Sequence, residues 1–303
     1  MNVLVTGITG YIGSRLAPRL LADGHAVRGL SRRARAGAHA IPILAGDAVT
    51  GDGLEEALDG VEVAYFLIHS MEPSGDGPFT AREHAAAENF ARAARAAGVE
   101  RVVYLGGPVP AGSVSSTHLA SRLEVERVLL DASPCSVALR ASIVIGAGSR
   151  SFRFLVRLLE RMPVLPVPAW GTRKTSPIDE RDIIELLARA AVGDGACGQS
   201  LDASGPELVT YAELIDKIRE HMLVGRITLS LNLTLTPIAS RLAAIIAGED
   251  HELIGPLMES LEYDLLPAGV GAAERLGVRL HSLDAAIEHA LAQWEAAEPL
   301  AAR

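Results

Sequence analysis

The chain has 303 residues, 49% of them hydrophobic and 21% charged, which predicts a folded, water-soluble protein of about two domains. A formal net charge of −9 argues against nucleic-acid binding and against anionic membranes, because both partners need a basic surface. The N-terminus lacks the basic opening of a signal peptide, and no run of about 18 apolar residues occurs. We therefore expect a cytoplasmic protein without a membrane span.

Short β-rich runs alternate with alanine-rich helical segments in the first half of the chain. The predicted strands cover residues 3–6, 26–30, 41–45, 61–67, 101–105 and 136–139. The predicted helices cover residues 12–22, 54–58, 81–97 and 118–130. Several strands are continuous apolar runs, as expected when helices cover both faces of a parallel sheet. The alternation predicts a doubly wound (Rossmann) α/β domain.

The pattern changes after about Gly146, and a smaller, mixed α/β part is predicted to follow. We expect helices over residues 151–161 and 179–191, separated by a proline-rich extended stretch that ends at Trp170. Thr210 and Glu213 match a capping box that opens a helix to Met222. Strict alternation over residues 227–235 predicts a half-buried strand, and Thr236-Pro237 predicts the start of another helix.

A glycine-rich turn directly follows the first strand and opens the first helix. Glycines in this position allow a tight turn and let backbone N–H groups reach a pyrophosphate at the helix N-terminus. The strand–turn–helix context makes a bound dinucleotide the better reading than a turn without a ligand. The predicted binding residues here are Gly7, Thr9, Gly10, Tyr11, Ile12 and Gly13. We assign residues 1–150 to dinucleotide binding and residues 151–303 to the substrate, and allow some later segments to return to the sheet.

The chain has two cysteines, Cys135 and Cys197, too few for a disulfide framework or a usual zinc site. We expect both to be free, buried thiols in a reducing compartment. We also expect no metal centre, because histidines and cysteines are not clustered at ligand spacing. Neither a Gly-x-Ser-x-Gly motif nor a Walker-type Gly-Lys-Ser/Thr occurs, which leaves nicotinamide chemistry or nicotinamide sensing.

The residue after the second predicted strand distinguishes NAD from NADP. An acidic side chain there binds the ribose 2′-OH, whereas arginine neutralises a 2′-phosphate. This chain has Ser31, Arg32 and Arg33 at that place and no carboxylate. Two guanidinium groups are suited to a phosphate dianion, so we predict NADPH. The alternative is a solvated basic loop.

The spacing Gly7-x-x-Gly10-x-x-Gly13 after Thr6 resembles that of the extended and atypical short-chain dehydrogenase/reductases. Stretches at residues 64–71, 102–107, 118–126, 177–182 and 205–213 are also similar to this family, in particular to its NmrA-like branch. The resemblance implies an NAD(P)-binding protein with a small-molecule substrate, as a monomer or homodimer. It also implies further cofactor contacts from Asp47, Ala48, Leu67, Ile68, His69, Leu105, Gly106, Arg122, Ala141, Ser142 and Ile143.

The family's usual catalytic pair is Tyr-x-x-x-Lys on the helix after the fifth strand, with a serine nearby. Here His118 and Arg122 occupy the tyrosine and lysine places, and Gly106-Gly107 ends the strand without a serine. Three explanations stay open. His118 donates the proton, since its ordinary pKa near ~6.5 suits acid catalysis at neutral pH; water or a substrate hydroxyl donates it; or the protein binds NADPH without turnover.

The expected activity is reduction of a carbonyl in a small, aromatic or polyketide-type molecule. The comparison implied by the resemblance is with ketoreductases of aromatic polyketide (angucyclinone) antibiotic biosynthesis. Reduction of a C=C or C=N bond, a redox sensor without turnover, and a non-catalytic assembly subunit are the alternatives. The predicted substrate contacts are Ser70, Met71, Gly107, Phe152 and Trp170, with Phe154 and Met162 as further apolar walls and Arg150, Arg153 and Arg173 as polar contacts.

Overall fold

The computed structural model of the protein describes residues 1–32, 41–68, 79–109, 117–225, 227–230, 261 and 263–297. The strands are β1 (Asn2–Thr6), β2 (Ala26–Ser31), β3 (Ile43–Ala45), β4 (Val63–Phe66), β5 (Arg101–Gly106), β6 (Val137–Ala141), β7 (Val144–Ile145), β8 (Val164–Val167), β9 (Lys174–Thr175), β10 (Ile178–Asp179), β11 (Gln199–Ala203), β12 (Val209–Thr210), β13 (Ile227–Ser230) and β14 (Val270–Gly271). The helices are α1 (Tyr11–Ala22), α2 (Leu54–Leu58), α3 (Phe79–Ala96), α4 (Thr117–Leu130), α5 (Arg150–Arg161), α6 (Glu180–Ala190), α7 (Tyr211–His221), α8 (Ala272–Leu276) and α9 (Leu283–Ala297).

Eight of these strands form one sheet, in the order β3-β2-β1-β4-β5-β6-β11-β14, and every neighbouring pair is parallel. The strand order reverses direction between β1 and β4. In open parallel sheets, ligands bind beyond the carboxyl ends of the strands at such a reversal. The topology therefore places a binding crevice above the ends of β1 and β4.

Alternating side chains of the strands pack against helices on both faces of the sheet. In β1, Leu4 packs on the face that α2, α3 and α4 cover, whereas Val3 and Val5 pack on the face that α1 and α6 cover. All three side chains are fully buried. This double coverage explains the continuous apolar runs and confirms the predicted doubly wound fold.

In the first half of the chain, each predicted strand and helix agrees with the structure to within two residues at either end. The second half agrees as well where it is described. Helices α5 and α6 match their predictions, and Thr210 and Glu213 form the predicted capping box, with N–O distances of 2.7 and 3.1 Å. The predicted strand over residues 227–235 is β13 in its described part. Residues 231–235 and the predicted helix after Thr236 lie outside the described residues.

Segments from both sides of residue 150 build the central sheet. Strands β11 and β14 extend it beyond β6, and α6 packs beside α1 on one face. A separate apolar core joins α5, α7, α9 and β8. The functional division at residue 150 stays a prediction, and strands from after this residue contribute to the sheet.

The prediction of two free thiols is wrong, because Cys135 and Cys197 form a disulfide bond. Each cysteine lies two residues before a strand, and these strands, β6 and β11, are parallel neighbours with Val137 opposite Gln199. The register brings the two Cα atoms to 4.4 Å. A count of cysteines did not reveal this pairing, since it depends on β11 returning to the side of β6.

Candidate active site at the carboxyl edge of the sheet

The glycine-rich turn after β1 is packed so closely that Gly7 and Gly13 accept no side chain without a shift of the backbone. Gly7 has a φ of +68°, and a Cβ on it would stand 2.8 Å from the carbonyl oxygen of Leu67. A Cβ on Gly13 would stand 2.8 Å from the Cα of Ile8. The Thr6 hydroxyl donates to the carbonyl of Tyr65 and accepts from the N–H of Leu67, which fixes the turn to β4. These contacts hold the turn tightly against the sheet.

Helix α1 begins at this turn, and no side chain caps its N-terminus. Gly10 is the N-cap residue and makes no side-chain hydrogen bond, and the first turn contains no acidic residue. Backbone N–H groups at a helix start, together with the helix dipole, bind anions such as phosphate. The residues present therefore fit the pyrophosphate of a dinucleotide.

A cavity of about 610 Å³ extends from this helix start along the carboxyl edge of the sheet. Every predicted cofactor contact lines it except Arg33 and His69, which lie outside the described residues. Predicted substrate contacts Ser70 and Met71 also lie outside them. The structure thus brings together side chains from the ends of β1, β2, β4, β5 and β6, which are far apart in the sequence.

One end of the cavity lies beyond β2 and β3. Ser31 and the exposed Arg32 line it, and no carboxylate occupies the end of β2. Asp47 lines it from the end of β3, where its side chain also accepts a hydrogen bond of 2.8 Å from the N–H of Val49. Asp47 is therefore both a turn residue and a cavity residue.

The other end of the cavity lies against β5, β6 and α4. Gly106 and Gly107 line it without side chains, and Ser142 lines it from the residue after β6. The Ser142 and Thr175 hydroxyl groups are 2.8 Å apart. The predicted proton donor, His118, is the second residue of α4, but its side chain lies outside what the structure describes.

Arg122 lies one helical turn after His118 and lines the cavity with a nearly buried side chain. Its Nε is 3.8 Å from Oε1 of Glu83, a buried carboxylate on α3. Burial and the neighbouring Tyr104 and Glu83 act on this guanidinium, and the net effect raises the pKa of Arg122 above its ordinary value. A permanent positive charge therefore lies at this end of the cavity.

Two predicted substrate contacts do not reach the cavity. Phe152 is fully buried in the core around α5, and it is Phe154, two positions along the helix, that lines the cavity. Trp170 packs edge-to-face against Tyr211, with ring centroids 6.0 Å apart, and Tyr211 lines the cavity in its place. Of the polar candidates, Arg150 lines the cavity.

The other suggested contacts have structural partners instead. The guanidinium of Arg153 lies 4.5 Å from the ring centre of Trp294, and Arg173 pairs with Asp264 at 3.9 Å. Met162 packs against the core of the second half. Sequence reasoning missed several residues that line the cavity, because no local motif marks them: Arg82, Leu155, Tyr211, Leu261 and Leu265.

Tyr11 ties the start of α1 to the second half of the chain. Its hydroxyl donates a short hydrogen bond to Glu180, which also lies 3.1 Å from Nε of Arg15. Burial raises the pKa of Tyr11 above its ordinary value, and the bond to Glu180 raises it further. Tyr11 thus lines the cavity and also joins α1 to α6 through its hydroxyl.

Within the described part of the chain, no group of three or more His, Cys, Asp or Glu residues is arranged to hold a metal ion. Among the same residues, none of the helices is long and apolar enough to cross a membrane.

Residues 3–145 match the sequence profile of the "NAD dependent epimerase/dehydratase family". This match covers the glycine-rich turn and the cavity walls up to β7. Over these residues, slightly less than half of the chain, the sequence is similar to a family described as NAD dependent, which supports the predicted resemblance at the level of the extended family.

Several curated relatives are identical to this chain at about a quarter of the aligned positions. An uncharacterised protein of Mycobacterium tuberculosis is 26% identical over 71% of the chain, which spans 23% of that relative's length. A 2-alkyl-3-oxoalkanoate reductase of Stenotrophomonas maltophilia is 26% identical over 72% of this chain, and the match covers 74% of the reductase. A (4-alkanoyl-5-oxo-2,5-dihydrofuran-3-yl)methyl phosphate reductase of Streptomyces griseus is 27% identical over 70% of both.

Solved structures share the fold over nearly the whole chain. The crystal structure of gox2253 has a TM-score of 0.76 and 20% identity, covering 98% of this chain and 99% of that one. The UDP-glucuronic acid 4-epimerase of Bacillus cereus, solved with UDP-glucuronic acid and NAD, has a TM-score of 0.70 and 16% identity, covering 98% and 100%. The match confirms the α/β architecture.

Proposed function

We propose that the protein is an NADPH-dependent reductase that transfers a hydride to a carbonyl carbon of a small molecule, and that it belongs to the atypical, NmrA-like branch of its family. One observation carries this proposal: a single cavity joins the uncapped start of α1 to the buried charge of Arg122. A dinucleotide held at its pyrophosphate by α1 has room in this cavity for both of its ends.

The positive charge of Arg32 supports the proposed preference for NADPH over NADH. Arg32 lines the cavity at the end of β2, where an NAD-selective protein carries an acidic residue. A guanidinium neutralises the extra phosphate and binds it through paired N–H groups. Asp47, a carboxylate in the turn after β3, already accepts a backbone hydrogen bond.

When bound, the reduced nicotinamide supplies the hydride. The glycines at the end of β5 let a flat carbonyl group approach the floor of the cavity closely. Arg122 stabilises the negative charge that develops on the carbonyl oxygen. A guanidinium stays protonated in proteins, so Arg122 stabilises this charge and does not donate the proton.

The proton then comes from another group. His118 stands one turn before Arg122 on α4, so both residues belong to one face of the helix. Water and a hydroxyl group of the substrate itself are the two other sources. Replacing His118 with Phe separates them: a fall of about 10²–10⁴-fold in turnover identifies histidine as the general acid, and unchanged turnover identifies another donor.

The substrate end of the cavity favours an apolar ketone. Phe154, Leu155, Tyr211, Leu261 and Leu265 line it, and Arg150 adds a positive charge at the start of α5. Two reductases among the relatives have names whose substrates carry an alkyl or an alkanoyl group. We propose a ketone with an alkyl chain or an aromatic, polyketide-type ring system, bound through its apolar part.

A sensor that binds NADPH without turnover is the second candidate. The absence of the family's tyrosine, lysine and serine from their usual places favours it. Both candidates predict cofactor binding, and turnover alone distinguishes them.

The test is NADPH oxidation by the purified protein with 2-alkyl-3-oxoalkanoates, polycyclic aromatic ketones, quinones, enones and imines. NADPH binding is measured in the same preparation by titration calorimetry, and the product is identified by mass spectrometry. Formation of an alcohol supports the reductase, and Arg122→Met should then lower turnover. Reduction of enones or imines alone assigns a C=C or C=N reductase, tight binding without any product supports the sensor, and absence of binding refutes both candidates.

A further inference from the structure

We propose that Glu83 is a positioning residue that holds the guanidinium of Arg122 against the cavity, where Arg122 contacts the ribose on the nicotinamide side of the cofactor. This inference rests on the proposed function and extends it to a residue that does not line the cavity. It concerns the cluster of Glu83, Ser121, Arg122 and Tyr104, which we call the α3–α4 cluster.

The α3–α4 cluster joins two helices that pack side by side next to the cavity. The side chain of Glu83 is 5% exposed and that of Arg122 is 10% exposed. Oε1 of Glu83 is 3.8 Å from Nε of Arg122, and Oε2 accepts a hydrogen bond of 3.1 Å from the Ser121 hydroxyl. Both oxygens of Glu83 therefore face consecutive residues of α4.

The contacts of Glu83 with Ser121 and Arg122 fix the position of its carboxylate as well as supplying a charge. Ser121 holds the carboxylate at one oxygen, so the other oxygen has a defined position beside Arg122. Helix α4 carries a buried carboxylate of its own, Glu126, which binds Arg140 at 2.6 Å and the Ser200 hydroxyl at 2.6 Å. Each of these two buried carboxylates thus has its own arginine.

Tyr104 borders the same guanidinium from β5. Burial raises the pKa of Tyr104, and the positive charge of Arg122 opposes that rise. Arg122 therefore lies between the Glu83 carboxylate and the Tyr104 phenol, with the cavity on a further side. These neighbours restrict where the guanidinium can lie.

The chemistry of a buried ion pair points to a positional role. Removing two charges from water costs free energy that their attraction often fails to recover, and apolar residues of equal volume commonly stabilise a fold at least as well. Stability alone thus gives little reason for a buried Glu–Arg pair. A cation held in place at a ligand cavity does give a reason, because cofactor hydroxyl groups and a developing oxyanion both need a fixed donor.

The experiment compares two ligands that share one end. NADPH contains the nicotinamide riboside, and 2′,5′-ADP contains only the adenosine end with the 2′-phosphate. Titration calorimetry is carried out with the full chain, wild type and Glu83→Gln, which keeps the shape of the side chain and removes its charge. Glu88→Gln is the matched control, since Glu88 lies on the same helix with 57% of its side chain exposed.

We expect Glu83→Gln to weaken NADPH binding by about tenfold, the effect of losing a charge-assisted contact, and to leave 2′,5′-ADP binding unchanged. Glu83→Asp should recover part of the affinity, and Glu88→Gln should bind both ligands as wild type does. Unchanged NADPH binding in folded Glu83→Gln overturns the inference, and so does an equal loss of both ligands, which indicates a structural role.

If Glu83→Gln does not fold, Ser121→Ala replaces it. This variant keeps both charges and removes one hydrogen bond of Glu83, so we expect a smaller loss for NADPH alone, and no loss overturns the inference. If the wild type binds 2′,5′-ADP but not NADPH, the role of Arg122 is wrong while the adenosine end stands. If it binds neither nucleotide, the proposed function fails and the inference fails with it.

Discussion

The ring of Tyr104 lies directly behind Gly106. A Cβ on Gly106 would stand 2.7 Å from Cε1 of Tyr104 and 3.2 Å from Cζ, closer than carbon atoms approach without displacing one another. Tyr104 and Gly106 are two positions apart on β5. The fully buried tyrosine occupies the space that a side chain at position 106 would need. A side chain at position 106 would therefore require Tyr104 to move, so glycine fits the end of this strand without repacking the core.

Replacing Gly106 with Ser should destabilise the protein. The added side chain meets an aromatic ring in a packed core, and overpacking of this kind costs about 1–3 kcal/mol. Urea unfolding followed by circular dichroism measures the loss. Gly107→Ala is the matched control, because no atom lies within 4 Å of a Cβ built there. Equal stability of Gly106→Ser and the wild type would contradict the steric explanation.

Local patterns predicted the first half of the fold well, because each element there carries its own signal. The glycine spacing from Gly7 to Gly13 reports a turn that the structure packs against Leu67 and Ile8. Arg122 was found by its spacing from His118, and it does line the cavity. Such patterns involve residues close together in the sequence, so they can be recognised without knowledge of the fold.

Contacts between segments far apart in the sequence could not be predicted from local patterns. The pairing of β11 with β6 decides that Cys135 meets Cys197, and no local pattern announces that register. On α5, the rotation of the helix decides that Phe154 and not Phe152 reaches the cavity. The sequence around Tyr211 indicates only a helix start, and the packing of α7 brings this residue to the cavity.

Arg32→Ala should change cofactor selectivity. Loss of a guanidinium contact to a phosphate should weaken NADPH binding by about 10–100-fold and leave NADH binding nearly unchanged. The dissociation constants of both cofactors are compared by titration calorimetry. Arg28→Ala is the control, since Arg28 lies on β2, four residues before Arg32, and donates to the carbonyl of Asp59. A parallel loss of NADPH and NADH in Arg32→Ala argues against a role in phosphate recognition.

The disulfide should be detectable by thiol titration. The chain contains two cysteines, so the protein purified without reductant should react as if it had none, and the reduced, denatured chain should show both. At a sequence separation of 62, the chain-entropy account assigns the bond a stabilisation of about 4 kcal/mol. Reductant should lower the melting temperature of the wild type and not that of the Cys135→Ser/Cys197→Ser variant. Two reactive thiols in the native protein would refute the pairing.

Asp284 should make a pH-dependent contribution to the docking of α9 on α7. Its carboxylate lies 2.8 Å from Nζ of Lys217 and 3.2 Å from Nε2 of His221. The hydrogen bond with Lys217 is the larger cause that lowers the pKa of Asp284, and the hydrogen bond with His221 lowers it further. A carboxyl whose pKa is lower in the folded state stabilises the fold above its unfolded pKa. This stabilisation is lost as the pH falls through the folded pKa.

Asp284→Asn should therefore lower the free energy of unfolding at pH 7 by about 0.5 kcal/mol, the magnitude typical of exposed ion pairs. Below about pH 3.8, the ordinary value for this carboxyl, the difference from the wild type should shrink towards zero. Urea unfolding at a series of pH values measures both differences, with Glu288→Gln on the exposed side of α9 as the control. A difference that is constant over the whole pH range would show that Asp284 acts through packing and not through its charge.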